Sequence, residues 1–149
     1  MFERIVERVA KSGQFPEDFD AFLAGFVEKK LLQSETMQFA LEISNREMEE
    51  MYAEAYAFYE EAHYKRASNI FRFLVMLDPL TSRYWLGLAA CLQLLEKYEK
   101  ALKCYAVVTL IDRHNPEPHY QAHACYTALG DEKEAALALE IAEEVKVCH

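Results

Sequence analysis

YWLGLAACLQLLEKYEKALKCYAVVTLIDRHNP, residues 84–116, reads as a helix, a tight turn and a second helix. Its residues recur upstream at a fixed step. Tyr98 answers Tyr64, Ala101 answers Ala67, Tyr105 answers Phe71 and Asp112 answers Asp78, each pair 34 residues apart. Downstream the same step carries Ala101 to Ala135, with Gly130 five residues earlier at a turn position. Three helical hairpins therefore follow one another.

A period of 34 is that of the tetratricopeptide repeat. Small residues at Ala67, Ala101 and Ala135 let the second helix of each hairpin approach the first, and the aromatic four residues on fills the space beside that contact. Trp85, Leu88, Ala89 and Leu92 hold the W-x-x-L-G-x-x-Y positions, with Ala for Gly and Leu for Tyr. In the third repeat Glu132 replaces the tyrosine and Leu139 the aromatic, as suits a terminal repeat whose outer face meets water. The predicted fold is all-α: a tetratricopeptide superhelix of three hairpins (about 48–81, 82–115 and 116–149, within a 45–149 domain) after an N-terminal helical segment, residues 1–44.

The chain has 149 residues, 52% hydrophobic and 28% charged, with four Gly and four Pro, the composition of one globular domain without long linkers. Its formal charge of −9 disfavours nucleic acid and anionic membrane surfaces, whose phosphates it would repel. Cys91, Cys104, Cys125 and Cys148 form no C-x-x-C pair and read as small buried apolar residues of a reducing compartment. With no signal-peptide pattern and no apolar run of about 18 residues, the reading is a cytosolic protein without membrane insertion.

Before the repeats, Phe2, Ile5, Val6 and Val9 recur at helical spacing up to about Lys11, and Ser12-Gly13 closes that helix. Pro16 with Glu17, Asp18 and Asp20 starts a second helix to about Leu32, carrying Phe19, Phe22, Phe26 and Val27 on one face. That face exceeds what a short outlying helix buries on its own chain, and it predicts homodimerisation. A short helix is expected over 34–43, and Ser44 with Glu47 forms a capping box for the helix that opens repeat one. Glu96 with Lys100, and Glu99 with Lys103, are expected i,i+4 pairs.

In such a stack the first helices line the concave face, with positions 2, 5, 9 and 12 of each repeat pointing into it. Repeat one puts Tyr52, Tyr56 and Tyr59 there, a ladder at i, i+4 and i+7 offering ring surface and hydroxyls. Repeat two contributes Arg83, Leu86, Ala90 and Gln93, and repeat three Glu117, Tyr120, Ala124 and Thr127. The competing reading packs the tyrosines on the N-terminal helices as core. His119 and His123 fall at packing positions of the repeat and are not read as metal ligands. Glu47, Glu49, Glu50, Glu54, Glu60 and Glu61 read as a solvated acidic face without partners. No phosphate loop, nucleophile elbow or zinc-protease motif occurs, so no catalytic residue, cofactor or metal is predicted.

The run from Glu47 to Cys91 closely resembles the class II chaperones of bacterial type III secretion systems. Their pattern is met by Met51-Tyr52, Ala55-Tyr56 and Tyr59, then Tyr64, Leu77-Asp78-Pro79 and Ser82-Arg83-Tyr84-Trp85-Leu86-Gly87-Leu88-Ala89-Ala90-Cys91, and it continues into the third hairpin at His123-Ala124. The resemblance implies a non-enzymatic cytosolic chaperone that keeps hydrophobic translocator proteins soluble and secretion-competent by holding an extended segment of each in the concave groove. By motif it places Tyr52, Tyr56, Tyr59 and Leu86 in that groove, while Gln93 and Tyr120 are added from repeat geometry. Residues 1–43 match only in being helical and apolar. The alternative is a generic tetratricopeptide adaptor. An adaptor gripping an acidic tail would need converging cations where Tyr52 and Tyr56 stand.

Overall fold

The computed structural model describes residues 1–13, 18–25 and 36–148. Among them the chain forms nine helices and no strand: α1 Phe2–Ser12, α2 Phe19–Gly25, α3 Met37–Ala40, α4 Asn45–Glu60, α5 Tyr64–Leu77, α6 Ser82–Leu94, α7 Tyr98–Ile111, α8 Glu117–Ala128 and α9 Glu132–Val147. The second helices of the three hairpins start at Tyr64, Tyr98 and Glu132, one repeat apart. The chain divides into two compact units, Met1–Tyr84 and Trp85–His149.

In the first unit α4 and α5 form the first hairpin. Met48, Met51 and Ala55 of α4 are buried with Ala67, Ile70, Phe71 and Leu74 of α5. Ala67 has no exposed surface, as a close-approach position requires. Gly13, in the left-handed conformation, closes α1, whose Ile5 and Val9 are buried and whose Phe2 ring meets Phe73 edge-on at 5.4 Å. Backbone and carboxylate oxygens of Asp18 accept the N–H groups of Phe22 and Asp20 at the start of α2. Pro16, Glu17 and the expected continuation of that helix over 26–32 lie outside the described residues. α3 is shorter than predicted. Thr36 caps it by accepting the Phe39 N–H, and the chain turns back through Glu42 at φ 53° to reach Ser44.

The second unit is built from the rest of α6 with α7, α8 and α9. Trp85, Leu88, Ala89 and Cys91 are fully buried with Ala101, Tyr105 and Val108. The His123 ring bonds through Nδ1 with the Ala135 carbonyl at 2.9 Å, joining α8 to α9 as its packing position implied. The third repeat is atypical as expected: Leu139, at the position where Phe71 and Tyr105 are buried, is 37% exposed. Two expectations are corrected. Glu96 sits in the turn at φ 62°, ahead of α7, so it forms no helical pair with Lys100. Cys148, just past the end of α9, is exposed, unlike the other three cysteines.

Candidate functional site

The tyrosine ladder stands on α4, whose start is fixed locally. Ser44 accepts the Glu47 N–H while the Glu47 carboxylate accepts the Ser44 N–H, the predicted reciprocal cap. From that start Met51 and Ala55 turn inward. Tyr52, Tyr56 and Tyr59 share a stripe one turn apart.

Their rings form a continuous run. Tyr52 and Tyr56 stack with centroids 6.2 Å apart, Tyr56 and Tyr59 lie 6.0 Å apart, and Tyr59 meets Tyr64 edge-on at 5.7 Å. At the other end Tyr52 is 5.8 Å from both Phe71 and Tyr84. Burial grades along the run. Tyr84 is buried, Tyr52 and Tyr59 are half-buried, and Tyr56 is 48% exposed. Burial pushes the Tyr84 and Tyr52 phenols above their ordinary pKa, so both remain hydrogen-bond donors at neutral pH.

One cation closes the ladder. The Arg83 guanidinium stacks 4.7 Å from the Tyr52 ring centroid and 5.3 Å from that of Tyr84, and donates from Nη2 to Glu49. The acids of α4 also have partners, contrary to their reading as a face without any. Arg8 pairs with Glu47 at 3.1 Å, Arg46 with Glu50 at 3.2 Å, Arg83 with Glu49, and the Phe2 N–H donates to Glu54 at 3.3 Å. Side chains of α1 and α2 contact Phe73, Glu47 and Arg72, the last lying over the Phe19 ring at 5.6 Å.

Of the residues expected to self-associate, Phe22 is only 8% exposed and Phe19 is half-buried within one chain. Part of that face is thus already covered by α5. Phe26 and Val27 lie outside the described residues.

In the second unit Leu86 is half-buried on α6. Gln93 is engaged: it accepts from the Tyr105 hydroxyl at 2.8 Å and donates to Gln121 at 3.2 Å, which in turn donates to Glu117 at 2.8 Å. Its amide ties α6, α7 and α8 together. The Tyr120 hydroxyl donates to Glu143 at 3.1 Å, and desolvation followed by the Glu143 acceptor raises its pKa. A cleft of about 210 Å³ opens between α7, α8 and α9. His119 lines it, and burial lowers the pKa of that imidazole. Among the described residues no group of three or more His, Cys, Asp or Glu side chains is placed to hold a metal. No described helix is long and apolar enough to cross a membrane.

The tetratricopeptide repeat family matches residues 82–115. Low calcium response locus protein H of Yersinia pestis is 33% identical over 104 residues, 70% of this chain and 62% of that protein, so the chain matches less than two thirds of this relative's length. A chain of the solved CopN-Scc3 complex superposes with a TM-score of 0.82 at 36% identity, over 89% of this chain and 78% of that one. The Yersinia enterocolitica type III secretion chaperone SycD, solved with a peptide of the translocator YopD, superposes at 0.68 with 33% identity, over 70% of this chain and 79% of that one. The chain belongs to the type III secretion translocator chaperones.

For a chaperone of this family the sequence located the ladder but missed what braces it. Arg83 stands out in the sequence only as a register position and a member of the motif over residues 82–91, and nothing in the spacing announces that its guanidinium lies between two rings and a carboxylate. The one available signal was Glu49 at position 2 of repeat one and Arg83 at position 2 of repeat two, opposite charges one repeat apart.

Proposed function

We propose that this chaperone binds an extended apolar segment of a translocator on the tyrosine ladder and so keeps that client soluble in the bacterial cytosol until export. The observation that carries the reading is the spacing of the rings. Successive centroids lie 6.2 and 6.0 Å apart, while alternate side chains of an extended chain repeat at roughly 6.5 Å. An extended client can therefore set every second side chain on successive rings, and the phenol hydroxyls then face its main chain. That SycD was solved with a peptide of the translocator YopD supports a translocator segment as the client.

The protein acts as a binder without catalysis. Leu86, Gln93 and Tyr120 occupy inner-face register positions of the later repeats and are the contacts proposed for the second unit, with Gln93 acting through the network it anchors. Residues 1–44 are proposed to mediate homodimerisation through Phe19, Phe22, Phe26 and Val27, with the repeats over 45–149 as the client-binding domain. Capture of an acidic tail is disfavoured, because Arg83, the cation on the ladder, is already paired with Glu49.

Co-expression with the apolar secreted proteins of the same secretion system tests the function. One or more should stay soluble and co-purify with the wild type, and be lost with Tyr56→Ala, Tyr59→Ala. A client retained equally by that variant would place binding elsewhere. Sedimentation at tens of micromolar, about the range of a weak dimer, tests self-association separately.

A further inference from the structure

We propose that Arg83 is the polar anchor of the ladder and recognises main-chain carbonyl oxygens of the extended client. The proposal rests on the ladder being the client site.

Three features carry it. First, the guanidinium is held in place. It lies over Tyr52 and Tyr84 and its Nη2 is bonded to Glu49, so little rotamer freedom remains to be lost when it binds a ligand. Second, it is accessible. The Arg83 side chain is 44% exposed, and a guanidinium carries five N–H donors in a fixed fork, more than Glu49 engages. Third, its charge is balanced by Glu49, on a chain of net charge −9. A client carboxylate would meet Glu49 and the negative field of the chain. A carbonyl oxygen meets neither obstacle, and charge-assisted donation to it is stronger than a neutral hydrogen bond.

The geometry of an extended chain fits the same arrangement. When one side chain rests on Tyr52 and the next alternate one on Tyr56, the carbonyls along one edge recur at the same interval of roughly 6.5 Å. One of them then falls beside the guanidinium that stacks on Tyr52. Apolar side chains thus choose the rings, and Arg83 fixes the register and the extended conformation.

The probe is a set of capped synthetic peptides alternating leucine and serine, bound to the purified full chain by calorimetry. In one series each amide in turn is replaced by an ester, which weakens the carbonyl acceptor. The wild type should bind, and Arg83→Gln should lose about tenfold in affinity, the lower end for a hydrogen bond to a charged group. Arg83→Lys should recover only part of that loss. Glu49→Gln, which loosens the hold on the guanidinium, should lower affinity by less than Arg83→Gln does, and added salt should change wild-type affinity little. One ester position should weaken binding to the wild type and have no further effect on Arg83→Gln, a non-additivity that a merely structural role would not produce.

Equal binding by Arg83→Gln overturns the anchor and leaves the ladder standing. Tighter binding of peptides with aspartate for serine, lost in salt, would make Arg83 a carboxylate reader and overturns the proposal. Ester costs that persist in Arg83→Gln reduce it to a brace for Tyr52. A wild type that binds none of the leucine peptides removes the ladder as client site and this inference with it.

Discussion

Ala62 and Glu96, one repeat apart, hold the same left-handed backbone conformation, with φ of 64° and 62°. Gly130, one repeat further, follows at 78°. Each of these residues sits in the same hydrogen-bonded turn. His63, Lys97 and Asp131 donate their N–H groups to the carbonyls of Phe58, Leu92 and Tyr126 at 2.9, 2.8 and 2.9 Å. The turn is set by helix packing on either side, since only the third repeat has the glycine that adopts it without strain.

Two opposite substitutions check this. A residue with a Cβ in the left-handed region costs about 1–2 kcal/mol, less the roughly 0.5–1 kcal/mol of backbone entropy that glycine forfeits on folding. Glu96→Gly is therefore expected to raise stability by up to about 1 kcal/mol. Gly130→Ala should lower it by about as much, through backbone strain alone, because a Cβ there meets nothing within 4 Å. Denaturant midpoints of both variants provide the measurement, and opposite signs are required.

The start of α4 gives a pH-dependent prediction. The hydrogen bond from Arg8 first, then the Ser44 N–H, holds the Glu47 carboxyl below its ordinary value of 4.5. A depressed folded-state pKa means that the unfolded chain takes up the proton first as acid is added. The stability Glu47 provides is thus complete well above pH 4.5 and lost as pH falls through the lower folded value. Glu47→Gln should lower the melting temperature at neutral pH and flatten its acid limb. Ser44→Ala should cost about 1 kcal/mol by removing the cap oxygen. Melts at neutral pH and below pH 4 compare both with the wild type.

What the sequence made legible was local or periodic. The 34-residue step located the hairpins, and Ser44 with Glu47 and Gly13 announced helix ends through backbone chemistry that needs no distant partner. Long-range pairings carried no such signal. Arg8 reaches Glu47 across 39 residues and Arg83 reaches Glu49 across 34, so the acids of α4 looked unpartnered until the chain was folded. Phe22 reads as surplus apolar surface in the sequence, yet it is 8% exposed within the chain, on a helix that contacts α5. That burial changes one expectation: Phe22→Asp should unseat α2 rather than yield an intact monomer. Gln93 was placed by register, yet register says nothing of which neighbours an amide will find.

The cysteines divide by burial into two reactivity classes. Burial pushes the Cys91 thiol up to about 12 and Cys125 to about 11, and Cys104 is equally covered. Thiolate is the reactive form, so these three should resist alkylation at mildly alkaline pH while the exposed Cys148 reacts. Mass spectrometry should find one adduct on the native chain and four after denaturation. More than one rapid native adduct would mean that the helices around Cys91 or Cys125 open readily.

The ladder itself separates binding from stability when its members are changed singly. Tyr52 is half-buried against Phe71, Tyr84 and Arg83, so Tyr52→Ala leaves an aromatic gap and should cost about 2–3 kcal/mol of stability. Tyr56 is 48% exposed, with ring contacts to Tyr52 and Tyr59. Its truncation should cost less than about 1 kcal/mol. Loss of an aromatic anchor from a binding surface typically costs 2 kcal/mol or more, roughly a thirtyfold drop in affinity. Tyr56→Ala should therefore keep its helicity and melting temperature while losing the leucine peptide and its client in co-expression. If Tyr56→Ala instead melts several degrees early while binding the peptide as the wild type does, the stripe is packing surface and the client is held elsewhere.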